Sequence, residues 1–173
     1  LCLLDAERFF IINGDTLTDV DLDAVLATHD RSGARVTMAL VPNTEPQKYG
    51  GVLVDDSGVV TGFTRRGSTH PSFHFIGVQV AEADVFAALP DNEPRESVAA
   101  LYPELMQSRP GSVRAHISDA EFLDIGTPLD YLETCLRLAK REGQASPADP
   151  ALAETVLWDD VVIEPGARLR RCV

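Results

Sequence analysis

The segment FFIINGD, residues 9–15, constrains the fold more than any other part of the chain. Its continuous apolar run is typical of a strand buried on both faces of a parallel sheet. The strand then enters a polar tip that ends at Asp15, and more acidic residues follow at 19, 21 and 23. Two interpretations of the tip stay open: a solvated turn, for which Asn-Gly is a common pair, or half of a metal site at a strand end.

The next residues predict a strand–helix–strand unit with a right-handed crossover. Residues 8–12 form the first strand and residues 35–41 the second. Asp19 and Asp21 are expected to cap the helix between them, and Gly33 is expected to end it. The spacing i, i+3, i+4, i+7 then predicts one apolar helical face, made of Leu22, Val25, Leu26 and His29.

Further strands and helices follow. Residues 51–54 and 59–63 flank the turn sequence DDSG, which predicts a hairpin. The remaining elements are predicted as strands at residues 73–80, 113–117 and 122–125 and as helical segments at residues 83–89 and 97–107.

The clearest helix start lies at Thr127. Thr127 is a candidate cap, Pro128 suits the first helical position, and Asp130 completes the capping-box spacing. This helix is expected to end near Gly143. Its buried stripe is expected to consist of Leu129, Leu132, Leu136 and Ala139.

The composition of residues 144–152, which include QASPADP, predicts a linker between residues 1–143 and residues 153–173. After it, aliphatic residues recur every six positions, and Pro165-Gly166 supplies a turn. This period predicts the first coils of a hexapeptide-repeat β-helix, with a plain two-stranded piece as the alternative. The two registers are Leu157, Ile163 and Leu169, and Val161, Ala167 and Val173.

Composition limits the classes of function. The 173 residues carry a formal net charge of −12, which argues against a nucleic-acid binder, because such proteins neutralise phosphates with Lys and Arg. No apolar run approaches the roughly 18 residues of a membrane span. The three cysteines are widely spaced, so reduced thiols in a cytoplasmic protein are the simplest interpretation.

A second acidic tip resembles the first. Residues 122–125 carry Asp124 into the capped helix, just as residues 9–12 lead to Asp15. Ligands of open α/β sheets bind outside the carboxyl ends of the strands, where two Asp side chains can hold Mg²⁺ together with waters and substrate phosphates. A turn role for Asp15 and a helix-entry role for Asp124 are the alternatives.

The ordered set of motifs resembles a known family. FIINGDTLTDVDL, YGGVLVDDSGVVTGF, FIGVQV, LYPELM and FLDIGTPLDYL occur in the order of the sugar-1-phosphate nucleotidyltransferases, also called nucleoside-diphosphate-sugar pyrophosphorylases. The chain is similar to the mannose-1-phosphate guanylyltransferase and glucose-1-phosphate thymidylyltransferase kinds. The tail VLWDDVVIEPGARLRRCV resembles the left-handed β-helix entry that follows this domain in many members.

The resemblance implies a fold, a reaction and a site. The fold is α/β: part of a Rossmann-like mixed-sheet nucleotidyltransferase domain, followed by the start of a left-handed β-helix. A sugar-1-phosphate attacks the α-phosphate of a nucleoside triphosphate, with Mg²⁺ as cofactor, and a nucleotide-sugar and pyrophosphate form. Asp15 and Asp124 match the catalytic metal ligands. The substrate-binding positions are Asn13, Gly14, Tyr49, Gly50, Arg66 and Gly77.

The chain departs from the family in three places. No Gly-rich nucleotide loop precedes residue 9, so we expect a fragment that is inactive by itself. Arg65 and Arg66 stand where the family often has Glu-Lys; Arg66 keeps the positive charge, whereas Arg65 cannot accept sugar hydroxyls. Phe75 replaces the family's Asn.

These departures keep a second hypothesis open. A non-catalytic nucleotide-sugar-binding or regulatory subunit would keep the fold without the reaction. A structural module built around the β-helix tail is a third. The resemblance also makes assembly into homo-oligomers an option, because β-helix tails support assembly in the family.

Overall fold

A computed structural model gives the fold of residues 6–90, 93–143, 154–158 and 160–173. These residues form two compact units. The first contains residues 6–14 and the described residues of 18–121, and the second contains residues 15–17 and the described residues from 122 onward. Among the described residues, none of the helices has the length and apolar character of a bilayer-spanning segment.

The first unit is built on a mixed sheet with the strand order β5-β4-β6-β3-β7, to which β1 adds by pairing with β6. A separate two-stranded sheet pairs β2 with β8. The strands are β1 (Arg8–Ile12), β2 (Thr16–Thr18), β3 (Val36–Pro42), β4 (Gly51–Val54), β5 (Val60–Thr64), β6 (Phe73–Glu82), β7 (Val113–Ile117) and β8 (Phe122–Asp124).

Three helices and two short helical turns connect these strands. The turns are a 3₁₀ turn at Ala83–Phe86 and a π-helical turn at Ser97–Leu101 that leads directly into the second helix. The helices are α1 (Leu22–Ser32), α2 (Tyr102–Ser108) and α3 (Pro128–Arg141). The core of the first unit lies between its sheet and α2 and contains Val36, Met38, Leu40, Val52, Val60, Ala81, Tyr102 and Val113.

Strand β6 organises the sheet because it pairs with three other strands. It is antiparallel to β3 along one edge. Its other edge is shared: β1 pairs with residues 78–82, whereas β4 pairs at Phe73. Between these two pairings Gly77 has a φ of 80°, and the register against β3 shifts there. Glycine adopts such a left-handed conformation without the steric cost that a Cβ brings, and β-bulges of this kind re-aim a strand.

The predicted environment of the first strand was wrong, although its bounds were correct. β1 pairs antiparallel with β6 and is only partly buried, with Ile12 52% exposed. β1 and β3 are nevertheless parallel to each other, since both are antiparallel to β6, which lies between them. An apolar run indicates that a strand can be buried, but it does not show which strand lies beside it. The run therefore wrongly predicted a strand buried on both faces of a parallel sheet.

Helix α1 has two of the three capping residues that the sequence predicted. The Asp21 carboxylate accepts a hydrogen bond from Ala24 N at 3.1 Å, and Gly33 ends the helix with a φ of 61°. Asp19 does not cap the helix; its carboxylate accepts a hydrogen bond from Glu121 N at 2.6 Å. Asp is a common N-cap residue, so both positions are suited to capping by residue type. Which of them caps the helix depends on where the backbone becomes helical.

His29 on α1 is a packed core residue, with 2% of its surface exposed. Its Nδ1 lies 2.9 Å from Thr37 Oγ1 on β3, and its Nε2 lies 3.0 Å from Glu82 Oε1 on β6. Both ring nitrogens of His29 thus have a hydrogen-bonding partner. This network joins the helix to two strands of the sheet.

In the second unit, α3 begins as predicted. Thr127 Oγ1 accepts from Asp130 N at 3.1 Å and donates to Asp130 Oδ2 at 2.6 Å. Leu132 is buried, but Leu129 is 53% exposed, so its assignment to the buried stripe was wrong. Side chains of a helix are tilted toward its N-terminus. The side chain of Leu129, in the first turn of α3, therefore extends beyond the part of the protein on which the helix packs.

The C-terminal residues make turns. Gly166, with a φ of 88°, lies in the predicted Pro-Gly turn, where Ala167 N donates to Glu164 O at 3.2 Å. No strand occurs in residues 154–158 or 160–173, and Ile163 and Leu169 are only partly buried. A β-helix buries its apolar positions by stacking one coil on the next. The described C-terminal residues do not show such stacked strands, so the β-helix remains a prediction. The predicted linker, residues 144–152, lies outside the described residues.

We expect the β4–β5 hairpin to depend on Asp55. Its carboxylate accepts hydrogen bonds from Ser57 Oγ at 2.7 Å and from Val59 N at 2.9 Å, and these bonds lower the pKa of Asp55. A lowered pKa stabilises the fold above the unfolded-state pKa of about 3.9, and the stabilisation is lost as the pH falls through the folded-state value. Asp55→Ala should lower the thermal midpoint at pH 7.

The matched control for this effect is Asp55→Asn, which keeps an acceptor oxygen but does not titrate. The Asn variant should be more stable than the Ala variant at pH 7, and its stability relative to wild type should improve below pH 4. Thermal denaturation followed by circular dichroism from pH 7 to pH 3 measures both effects. Equal midpoints for wild type and Asp55→Ala across this range would contradict the assignment.

Thr37→Val should destabilise the first unit. The substitution leaves His29 Nδ1 buried without its hydroxyl partner, and a buried polar group without a partner costs about 1–3 kcal/mol. Thr61→Val on β5 removes the same hydroxyl at an exposed position and serves as the control. Urea denaturation should show a lower free energy of unfolding for Thr37→Val only. Equal values for the two variants would exclude a stabilising role for the network.

Candidate functional site

Asp15 lies in the turn between β1 and β2, with its side chain exposed. Its carbonyl oxygen accepts a hydrogen bond from Ile125 N at 3.1 Å. This backbone bond adjoins the pairing of β2 with β8 and joins two segments that are 110 positions apart in the chain. The first acidic tip is thereby held beside the second.

Asp124 is the last residue of β8, and hydrogen bonds hold both its side chain and its backbone. Its Oδ1 accepts from Gly126 N at 2.9 Å, and its carbonyl oxygen accepts from Thr134 Oγ1 of α3 at 2.9 Å. The capped N-terminus of α3 follows three residues later, and the dipole of a helix favours negative charge at this end. The local fold thus places the Asp124 carboxylate close to the N-terminus of α3.

The two carboxylates converge at Gly126. A methyl group added there would lie 3.1 Å from Asp124 Oδ1 and 3.6 Å from Asp15 Oδ2, so both oxygens approach the same small volume. Any larger residue at position 126 would crowd this space. The structure therefore brings together the two residues that the sequence paired, although they belong to distant parts of the chain.

The donor set of this pair fits Mg²⁺. Within the described part of the chain, no group of three or more His, Cys, Asp or Glu residues converges. Zinc sites use several nitrogen or sulfur ligands, whereas Mg²⁺ is commonly bound through one or two carboxylates and keeps positions for water and substrate phosphate. Asp15 and Asp124 supply two oxygen donors of the required kind.

A cleft of about 600 Å³ opens in the first unit. Its residues come from the end of β1, from β4, β5 and β6, and from the π-helical turn, so it lies where β1 and β4 share one edge of β6. Two of the predicted substrate-binding residues, Asn13 and Gly50, line it. The other lining residues are Ile11, Gly51, Val52, Phe63, Thr64, His74, Phe75, Gln79, Arg95, Glu96, Ser97, Val98 and Ala99.

Two glycines let the strands approach closely beside this cleft. A methyl group at Gly50 would lie 2.9 Å from the carbonyl oxygen of Thr64, and one at Gly51 would lie 2.2 Å from Ser72 Oγ. Real contacts of a Cβ are longer than both distances, so only glycine fits without a shift of the neighbouring atoms. The sequence pair Gly50-Gly51 thus has a packing reason as well as a place in the cleft wall.

Gly77 and Asn13 meet through the backbone. Asn13 N donates to the carbonyl oxygen of Gly77 at 2.8 Å, which extends the pairing of β1 with β6 by one step. Gly77 itself does not line this cleft. Its positive φ permits the bulge in β6, the strand that forms part of the cleft wall. Asn13 thus directly follows β1 and lines the cleft.

Aromatic rings form one side of the cleft. The ring of Tyr49 packs on the ring of His74, with 4.2 Å between the centroids, and His74 lines the cleft. Lys48 Nζ lies 4.9 Å from the centroid of Tyr49, within the range of a cation–π contact. Phe75, which departs from the family pattern, also lines the cleft and packs against the hydrophobic core.

Two predicted positions lie elsewhere. Arg66 is exposed on the loop after β5, outside the cleft lining, as is its neighbour Arg65. This loop is tied back by a hydrogen bond from Gly67 N to Pro46 O at 2.7 Å. Gly14 lies in the exposed turn after β1 and does not line the cleft. The structure does not bring these residues into the cleft with Asn13 and Gly50.

The motifs did not single out the polar pair beneath the cleft. The hydroxyl of Tyr102 donates to Gln79 Oε1 at 2.7 Å, and both side chains are buried. Burial raises the pKa of Tyr102 to about 12, so the phenol stays protonated at neutral pH. The available signal was Gln79 itself, a polar residue inside the apolar run FIGVQV.

Comparison with protein families matches residues 1–141 to the nucleotidyl transferase family. The chain is 36% identical, over 126 residues, to a D-glycero-alpha-D-manno-heptose 1-phosphate guanylyltransferase of Aneurinibacillus thermoaerophilus, covering 72% of this chain and 53% of the relative. It is 24% identical, over 160 residues, to a mannose-1-phosphate guanylyltransferase of Mycobacterium tuberculosis, covering 92% and 45%. The chain thus spans about half the length of these relatives.

Solved structures show the same fold at low identity. HddC from Yersinia pseudotuberculosis, in a complex with GMP-PN, aligns with a TM-score of 0.66 and 20% identity, over 79% of this chain and 58% of that one. A putative glucose-1-phosphate thymidylyltransferase from Bacillus anthracis aligns with a TM-score of 0.62 and 14% identity, over 83% and 57%. The mixed-sheet α/β architecture agrees with the sequence expectation, and by its family match the chain belongs to the nucleotidyl transferases, among the sugar-1-phosphate nucleotidyltransferases.

Proposed function

We propose that this protein transfers a nucleotidyl group from a nucleoside triphosphate to a sugar-1-phosphate, giving a nucleotide-sugar and pyrophosphate. The observation that carries the proposal is the convergence of Asp15 and Asp124 at Gly126. The family match and the guanylyltransferase and uridylyltransferase names of the relatives support the same reaction class. Those names differ in the base, so the proposal extends to the class and not to one nucleotide. We place the reaction in the cytoplasm.

In the proposed reaction, an oxygen of the sugar-1-phosphate forms a bond to the α-phosphorus of the triphosphate. The bond from that phosphorus to the bridging oxygen of the β-phosphate breaks, and pyrophosphate carries the electron pair away. A phosphate monoester has a second pKa near 6 and is largely a dianion at pH 7, so the nucleophile needs no general base. The protein then needs to align the two substrates and to stabilise the negative charge of the reacting phosphates.

Asp15 and Asp124 are the residues that would hold Mg²⁺ in this reaction. The bound ion supplies positive charge that stabilises the reacting phosphates. This role fits a chain with a net charge of −12, because anionic substrates would otherwise meet a surface of the same sign. Gly126 leaves room between the carboxylates, and the Gly126 N–H holds Asp124 in place.

The cleft of the first unit is proposed as the sugar site. Asn13 and Gly50 supply polar side-chain and backbone groups, and Phe75 and the Tyr49-backed His74 ring supply apolar surface. Sugars offer both hydroxyls and C–H faces, and small-ligand sites combine apolar walls with a few placed polar groups. Gly77 is assigned an indirect role, since its bulge shapes β6 beneath this space. Arg66 and Gly14 are left without an assigned contact.

Asp15→Asn and Asp124→Asn should each weaken binding of a divalent cation by about tenfold or more, because each removes one of two anionic ligands. Mn²⁺, observed by electron paramagnetic resonance in the presence of a nucleoside triphosphate, serves as the probe. Asp23→Asn is the control, since Asp23 lies in the first turn of α1 as an exposed acidic residue. In a protein extended upstream to include a Gly-rich loop, pyrophosphate release, assayed with a panel of sugar-1-phosphates, should be abolished in both site variants.

Two results would contradict this proposal. Unchanged Mn²⁺ affinity in both site variants would remove the metal assignment. Tight binding of nucleotide-sugars with no pyrophosphate release, in a protein extended upstream to include a Gly-rich loop, would instead favour a non-catalytic binding subunit.

A further inference from the structure

Gln79 is a polar side chain in an otherwise apolar part of the sheet. It lies in the half of β6 that pairs with β1, opposite Ile11, and only 2% of its surface is exposed. It nevertheless lines the cleft that β1 and β4 leave along β6. Burying an amide is costly unless its groups are hydrogen-bonded, so the partners of this side chain determine what it can do.

Tyr102 fixes one end of the Gln79 amide. The Tyr102 hydroxyl, which is fully buried, donates to Gln79 Oε1 at 2.7 Å. The π-helical turn leads directly into α2 at Tyr102, whose backbone N donates to Ser97 O. Such turns are frequent at functional sites. The acceptor end of Gln79 therefore points to the protein.

The donor end of the amide has no such partner. Among the residues that the structure describes, Tyr102 is the hydrogen-bond partner of the Gln79 side chain, and its bond uses Oε1. The NH₂ group, which has two protons to donate, is then the part of the side chain left for a molecule in the cleft. A donor held in one orientation by a buried phenol is suited to selecting an acceptor oxygen.

We propose that Gln79 determines sugar specificity by donating a hydrogen bond from its amide NH₂ to one hydroxyl of the bound sugar-1-phosphate. Tyr102 is the positioning residue, which acts through Gln79 and does not touch the sugar. The inference rests on the proposed function, namely that this cleft holds the sugar. A site built to bond a particular hydroxyl rejects the analogue that lacks it, since the protein donor is then left buried and unpaired.

The test combines variants with deoxy analogues. Isothermal titration measures the affinity of the chain for a panel of sugar-1-phosphates with Mg²⁺ present, and then for monodeoxy analogues of the sugar that binds best. Wild type should lose about tenfold in affinity for one of these analogues. Gln79→Met, which keeps the length of the side chain without a donor, should bind the parent sugar about tenfold more weakly and no longer distinguish that analogue.

Two further variants separate specificity from folding. Gln107→Met makes the same change at an exposed position on α2 and should behave as wild type. Tyr102→Phe removes the hydroxyl that orients Gln79 and should reduce the discrimination between the parent sugar and that analogue. A purely structural role would lower the thermal midpoint but leave that discrimination intact. If Gln79→Met does not fold, the test rests on Tyr102→Phe, through the ratio of its affinities for the parent sugar and for that analogue.

The outcomes distinguish this inference from the proposed function. If wild type binds sugar-1-phosphates and both Gln79→Met and Tyr102→Phe keep its full discrimination among deoxy analogues, the role of Gln79 is overturned while the sugar cleft stands. If wild type binds none of the panel with Mg²⁺ present, the sugar assignment of the cleft fails, and the role of Gln79 fails with it.

Discussion

The shared edge of β6 is the constraint on which the first unit depends. One strand of ten residues carries β3 along one side and both β1 and β4 along the other, so the two partners on that side must leave a gap. Gly77, with its positive φ, lies at the point of changeover. The gap becomes the cleft, and the same strand lines it with His74, Phe75 and Gln79. The pairing of the strands and the cleft therefore have a single origin in β6.

The second unit brings the carboxylates of Asp15 and Asp124 together at Gly126. The backbone bond from Ile125 to Asp15 holds the two tips side by side, and Gly126 keeps the space between them open. Two like charges at one place repel each other, and a bound cation relieves that repulsion. A divalent ion with free coordination positions is what a reaction between two phosphate-bearing substrates requires. The family match supports the transferase class, and the metal assignment is our proposal from the convergence of the two carboxylates.

Local signals in the sequence predicted local structure well. Asp21, Gly33 and Thr127 have the capping roles that their residue types indicate, because a cap depends on residues within a few positions. The pairing of Asp15 with Asp124 was also expected, since the ends of strands in an α/β sheet are natural meeting points. The partner of β1 was not predictable in this way, because strand pairing is set by distant residues. The proposed role of Gln79 was not apparent from the sequence for the same reason, because it depends on Tyr102, which is 23 positions away.

The most direct test of the central claim is to locate the cation. A crystal structure of the protein grown with Mn²⁺ and a nucleoside triphosphate, with anomalous scattering measured near the manganese edge, reports the position of the metal without reference to activity. The account predicts one anomalous peak bound by carboxylate oxygens of both Asp15 and Asp124, with the remaining positions filled by phosphate and water oxygens. A peak at another group of ligands, or a peak that only one of the two residues touches, would contradict it.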